Sequence, residues 1–148
     1  MRRIGIVGAG SEKFTPATEQ QAKAQIRGLL CSERDVILVS GHSPMGGVDI
    51  WAEQIAVELG IPQMIFTPTV RQWNPTGEYG YKRRNLDIAR QSDVVYVILP
   101  RVYPKMYTGQ RFGECYHCHT TKHIKSGACW TAHKAMALGK PAYWITID

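Results

Sequence analysis

Asp35-Val36-Ile37-Leu38-Val39-Ser40-Gly41-His42-Ser43-Pro44-Met45-Gly46-Gly47-Val48-Asp49, continuing to Leu59, is the stretch that decides the fold. Its first six residues are β-branched or apolar and unbroken, which reads as a strand buried on both faces. Gly41 to Gly47 is a turn. From Val48 the period changes: Val48, Trp51, Ala52, Ile55, Ala56 and Leu59 recur at steps of three and four, so one face of a helix is apolar, and Gly60 with Pro62 ends it. A buried strand, a glycine loop and an amphipathic helix form half of a parallel β-α-β unit.

The same alternation extends in both directions. Arg3 to Gly8 is a short strand stopped by Gly8-Ala9-Gly10-Ser11, and a helix is expected from about Thr18 to Leu30. Gln63 to Phe66 is a third strand, followed by a polar loop from Thr67 to Tyr79 that holds Pro68 and Pro75. Tyr81 to Gln91 is a basic helix. Asp93 to Leu99 is the strongest strand, closed by Pro100. Thr131 to Leu138 is a last helix capped by Gly139, and Pro141 to Ile147 a last strand. The expectation is an α/β, three-layer, doubly wound Rossmann-like parallel sheet of about five strands, with helices on both faces. All 148 residues form one domain, with residues 100–128 as an insertion. Ligands in such sheets collect beyond the carboxyl ends of the strands, where the loops after Val7, Val39 and Leu99 open.

The insertion lacks any period, yet a structureless stretch of that length is unusual in a compact domain. The run from Cys115 to Thr131, at its end, holds three of the four cysteines and three of the five histidines. Cys115, Cys118, His123 and Cys129 are spaced C-x2-C-x4-H-x5-C, one residue longer than a zinc knuckle. A four-ligand zinc site of this kind is structural, since no coordination position stays open. His117 and His119 compete with Cys129 for the fourth place. Tyr116 and Trp130 are expected to pack on the metal turn, and Cys31 to be a small core residue.

Composition narrows the partners. The first 74 residues carry seven basic and seven acidic side chains, the remainder eleven and five, so the whole net charge of +6 lies in the second half. That asymmetry suits an anion, either a nucleotide or another phosphorylated small molecule, or a single-stranded nucleic acid, and leaves a homo-oligomer open. No apolar run approaches a membrane span, and the opening Met1-Arg2-Arg3-Ile4-Gly5 leads into a strand and not a signal peptide. Thiols at metal spacing then point to the cytoplasm.

Gly8-Ala9-Gly10 hints at a dinucleotide loop, but Lys13 stands where a third glycine belongs and no acidic residue ends the second strand. An ordinary NAD dehydrogenase is set aside. The anion is expected among Gly8, Gly10 and Ser11, then Gly41, Ser43, Gly46 and Gly47 before a helix N-terminus, and Ser126, Gly127 and Thr131, with Arg84 and Asn85 opposite. Gly47 is read as a close-approach position for the ligand. Asp49 either complements the helix dipole or bonds a ligand hydroxyl. His42 is read as a polar loop residue.

These segments carry a resemblance. Val39-Ser40-Gly41 with Gly46-Gly47-Val48-Asp49, Arg83-Arg84-Asn85 with Ser92-Asp93, and Ser126-Gly127 through Thr131-Ala132 to Gly139-Lys140-Pro141 resemble, in order, the motifs of the DNA-processing protein A (Smf) family. The likeness spans residues 4 to 147. It implies the SLOG superfamily fold, shared with lonely-guy phosphoribohydrolases and molybdenum-cofactor carriers. Against the lonely-guy motif Gly-Gly-x-Gly-Thr-x-x-Glu, residues 127–134 place Lys134 where the hydrolytic glutamate belongs. Loss of that carboxylate removes the stabiliser of an oxocarbenium-like transition state. The resemblance therefore implies nucleotide binding, with hydrolysis of an N-glycosidic bond as the alternative and Glu78, Asp49 or His133 as substitute catalysts. Neither family's pattern includes the Cys/His insertion.

Overall fold

The computed structural model describes residues 1–148 except 71, 75 and 78, so Pro75 and Glu78 lie outside the described residues. Five strands form one parallel sheet: β1 (Arg2–Gly8), β2 (Val36–Ser40), β3 (Gln63–Ile65), β4 (Val94–Pro100) and β5 (Ala142–Ile147), in the spatial order β3-β2-β1-β4-β5. Four helices alternate with them: α1 (Pro16–Cys31), α2 (Val48–Glu58), α3 (Gly80–Gln91) and α4 (Ala128–Ala137). The chain steps from β1 outward to β3, then crosses back to β4. Right-handed crossovers consequently place α1 and α2 on one face and α3 and α4 on the other, where each pair packs together. The direction reverses between β1 and β4, whose register runs from Ile4 opposite Val94 to Gly8 opposite Ile98. That reversal opens a crevice at the carboxyl ends of these two strands.

The centre of the sheet is as apolar as its sequence. Ile4, Ile6, Leu38, Val39, Val94, Val95, Val97 and Ile98 are buried, and Ala22, Ile26 and Leu30 of α1 meet them from one side. The edges depart from the expectation of strands buried on both faces: Ile65 of β3 and Tyr143 of β5 are exposed. Each edge strand has a neighbour on one side only, and its outer positions reach water. Cys31, expected in the core, is also exposed, because α1 turns its last residue outward.

Local chemistry explains the element ends. Thr15 and Thr18 form a reciprocal capping box ahead of Pro16, so α1 starts earlier than its apolar pattern suggested. The last helix likewise begins at Ala128 and not Thr131, a full turn inside the stretch read as a loop. Residues 101–127 contain neither helix nor strand but are held by turns and by a tight antiparallel bridge between Cys115 and Thr120. Arg111 donates to the carbonyls of Pro104 and Tyr107 at 2.9 and 3.0 Å, folding this loop around its own guanidinium.

The glycine loop before α2 closes on the turn after β1. The amide of Val48 donates to the carbonyl of Ala9, and the amide and hydroxyl of Ser11 donate to that of Met45. Gly47 has φ +78°, and a Cβ there would lie 2.3 Å from the carbonyl oxygen of Ala9. Its lack of a side chain is thus required by contact between two loops of the chain itself. Gly47→Val should cost about 3 kcal/mol or more, since left-handed strain and a backbone clash add. Thermal denaturation showing a variant as stable as the parent would contradict this packing.

Candidate functional site

The crevice between β1 and β4 deepens into a cavity of about 230 Å³. Of the residues expected at an anion site, Gly8, Ser43, Asp49, Arg84, Asn85, Ser126, Gly127 and Thr131 line it, while Gly10, Ser11, Gly41, Gly46 and Gly47 do not. Gly41 instead gives Arg84 room: a Cβ there would meet the guanidinium, which donates to the Gly41 carbonyl. Trp73, Tyr81 and Ile88 complete the walls.

The two glycine-bearing loops behave differently from a pair of open phosphate cradles. In the loop before α2 the polar groups already serve one another. The Ser43 amide donates to Asp49 Oδ2 at 3.1 Å, the Met45 amide to the Ser43 hydroxyl at 3.2 Å, and the Gly46 amide to the Ser43 carbonyl at 3.1 Å. The Asp49 carboxylate occupies the place that an incoming anion would need. At the other end, the Ser126 hydroxyl accepts from the Ala128 amide at 3.2 Å, and the amides of Cys129 and Trp130 donate to the carbonyls of Ser126 and Gly127. The Thr131 side chain is buried and makes no hydrogen bond among the described residues. The cavity therefore presents hydroxyls at the α4 end and a carboxylate at the α2 end.

Arg84 links the two. Its guanidinium lies 3.8 Å from Asp49 Oδ2, donates to Asn85 Oδ1 at 2.7 Å, and covers the ring of Tyr81 at 5.3 Å. At 3.8 Å and an effective dielectric constant near 20 the attraction is roughly 4 kcal/mol. Burial nevertheless wins at Asp49: desolvation raises its pKa to about 6, against the pull of Arg84 and the Ser43 amide, with Glu53 raising it further and His42 lowering it. Desolvation also lowers the pKa of Arg84.

A second network stands beside this cavity. His42, at φ +48°, places Nδ1 2.7 Å from Glu53 Oε1, while the Ser40 hydroxyl donates to Glu53 Oε2 at 2.7 Å. Sequence pattern does not mark Glu53: Asp49 borders the apolar stripe of α2 and Glu53, four residues on, lies outside it, although both are buried.

Below α4, on the side away from the cavity, Cys115, Cys118, His123 and Cys129 bring their ligand atoms within 4.8 Å of one another and can hold a metal ion. The neighbouring polar groups are arranged as an outer shell. His123 Nδ1 donates to the carbonyl of Ile124 at 2.9 Å, which leaves Nε2 as a lone-pair ligand. Trp144 Nε1 donates to Cys129 Sγ at 3.4 Å, and His133 Nε2 lies 3.3 Å from Cys118 Sγ. Burial pushes the thiols of Cys129 and Cys118 up, so these sulfurs become thiolates only with a cation to offset desolvation. His117 and His119 fall outside the group. Trp130 leaves the metal turn to meet Trp73 edge-on at 5.0 Å, whereas Tyr116 packs beside His117 and Phe112.

No family profile and no curated protein matches the sequence. Among solved structures, the chain is similar to the molybdenum cofactor carrier protein from Chlamydomonas reinhardtii, with a TM-score of 0.62 and 17% sequence identity over 98% of this chain and 77% of that one. The likeness shows a shared Rossmann-like fold. No described helix is long and apolar enough to cross a membrane.

The raised pKa of Asp49 has a measurable sign. Between pH 4 and 6 the folded chain holds a proton at Asp49 that the unfolded chain has released, so this group's contribution to stability falls as pH rises through that window. Denaturant titrations of the parent and Asp49→Asn across this range should show a flatter slope for the variant. Identical slopes would mean that Asp49 ionises as freely as an exposed carboxylate.

Proposed function

We propose that this protein binds a phosphorylated small molecule, of the nucleotide or nucleoside-phosphate class, in the cavity at the β1–β4 crevice and holds it without turnover. The observation that carries the reading is the polarity of that cavity. Its α4 end offers the Thr131 hydroxyl and the start of a ten-residue helix, and the Arg84 guanidinium, 3.8 Å from Asp49, lines the same cavity. A helix N-terminus adds roughly 0.3–1 kcal/mol for an anion, so the guanidinium and hydroxyl must converge with it for useful affinity. The SLOG resemblance and the fold shared with a molybdenum cofactor carrier support carriage or sensing as the role.

The metal cluster supports the same picture from below. We assign it to zinc, on the chemistry of three thiolates and one imidazole. Zinc clips of this kind contribute roughly 10–16 kcal/mol in small peptides, which would offset much of the ordering cost of residues 101–127. Its part is structural: four protein ligands fix the loop and the start of α4.

Hydrolysis of an N-glycosidic bond lacks its acid. Lys134 lies in the last turn of α4, outside the cavity, and His133 faces Cys118, so neither substitutes for a glutamate there. Asp49 is the remaining described candidate, and Arg84 and the Ser43 amide already hold it. The nucleic-acid reading rests on basic side chains, several of which have partners within the chain: Arg101 pairs with Asp148 at 2.7 Å, Arg83 with Asp87 at 3.3 Å, and Lys125 covers Phe112 at 4.8 Å. A small anion suits the site better than a strand.

Protein purified without chelator should carry one equivalent of zinc by elemental analysis. It should also bind nucleoside monophosphates by calorimetry while chromatography finds no free base after prolonged incubation. Base release that is lost in Asp49→Asn would convert the reading to a hydrolase. Failure to bind any nucleoside monophosphate would remove it.

A further inference from the structure

Building on that reading, we infer that the cavity selects a flat bicyclic heterocycle presenting two adjacent N–H donors, the edge shared by guanine and pterin rings, with Asp49 as the group that reads it. Asp49 is 6% exposed, and only its Oδ2 is engaged: the Ser43 amide donates to it at 3.1 Å, and Arg84 stands at 3.8 Å. Oδ1 accepts no hydrogen bond among the described residues, while the carboxylate borders the cavity. A carboxylate accepts and never donates when ionised. Its complement is a pair of parallel donors, which the N1–H and 2-amino groups of guanine or pterin supply. Adenine instead sets one amino group beside an acceptor nitrogen, and that nitrogen would face the carboxylate with repulsion.

The walls fit the same ring. Trp73 is 45% exposed and is braced edge-on by Trp130, while the Arg84 guanidinium covers the ring of Tyr81. Ile88 closes the floor. Aromatic surface held in this way favours a planar ligand by stacking. The layout is also ordered along the cavity. Asp49 lies at the α2 end and Thr131 with Gly127 at the α4 end, so a ring edge and a phosphate on one molecule reach opposite groups. A phosphate placed against the Asp49 carboxylate would meet a like charge, which Arg84, 3.8 Å away, offsets in part. Charged groups around Asp49 are Arg84 from α3, Glu53 from α2 and His42 from the preceding loop.

The test measures affinities of GMP, IMP, AMP, neopterin monophosphate and ribose 5-phosphate by calorimetry at fixed pH and salt, with tryptophan fluorescence as a second readout for stacking at Trp73. The expected order is GMP or neopterin monophosphate tightest, IMP weaker for lack of the 2-amino group, and AMP weaker than GMP by about tenfold or more. Whichever of GMP and the pterin binds tighter names the ring. Asp49→Asn should abolish the preference over AMP, while ribose 5-phosphate affinity rises because Arg84 loses its carboxylate partner at 3.8 Å. The parent's own ranking decides the matter even if that variant is unstable. AMP binding as tightly as GMP overturns the edge reading but leaves a phosphate site standing. Ribose 5-phosphate matching GMP overturns the ring altogether. No binding by any probe removes both this inference and the phosphate site beneath it.

Discussion

The first turn of α4 belongs to two sites at once, and the rest of the arrangement depends on that constraint. With about 100° of rotation per residue, Cys129 projects about 160° away from both Gly127 and Thr131. Gly127 and Thr131 line the cavity, while the sulfur of Cys129 joins the metal cluster on the opposite side. The indole of Trp130 projects between these directions and meets Trp73 of the cavity wall. A helix start is frayed unless something holds it. Here Ser126 caps one amide, and in the proposed state the zinc anchors the backbone through Cys129. The metal loop thereby acts on a ligand site that none of its other ligands touch.

The opposite wall is held by different means. The loop before α2 satisfies its own amides, locks onto the turn after β1 through Gly47, and presents Asp49 as a fixed acceptor. Such a wall is rigid and acidic where a phosphate cradle would be open and electropositive. One end of the cavity thus presents the Asp49 carboxylate and the other the Ser126 and Thr131 hydroxyls. In the second half of the chain, Arg101 pairs with Asp148, and Lys125 covers Phe112 and Tyr116.

Much of this was legible in the residues. The unbroken strands and the Val48-to-Leu59 periodicity carry the sheet and its direction of winding, because burial on both faces leaves few other ways to hide them. The metal spacing was legible as well, since thiol positions restrict geometry more sharply than hydrophobic pattern does. What escaped was whatever depends on two loops meeting. Gly47 reads in sequence as ligand approach, but its contact is the Ala9 carbonyl, distant in the chain yet adjacent in space. Trp73 and Tyr81 lie in or just after a loop with no period, so nothing local marks them as cavity walls. Glu53 lies off the apolar stripe of α2, so its burial was not legible from the pattern. The hydrogen-bond partners of Asp49 and Glu53, Ser43 and His42, required the turn geometry that brings the loop back over the helix.

The central claim is that the metal cluster and the cavity are coupled through the start of α4. The most direct measurement compares nucleoside monophosphate affinity, by calorimetry, of the metal-loaded protein and the same protein after chelation, with circular dichroism showing that the sheet persists. The account predicts a clear loss of affinity on metal removal, about tenfold or more for a coupling of roughly 1.4 kcal/mol, restored when zinc is returned. Equal affinity with and without metal, in protein whose sheet remains folded, would contradict it.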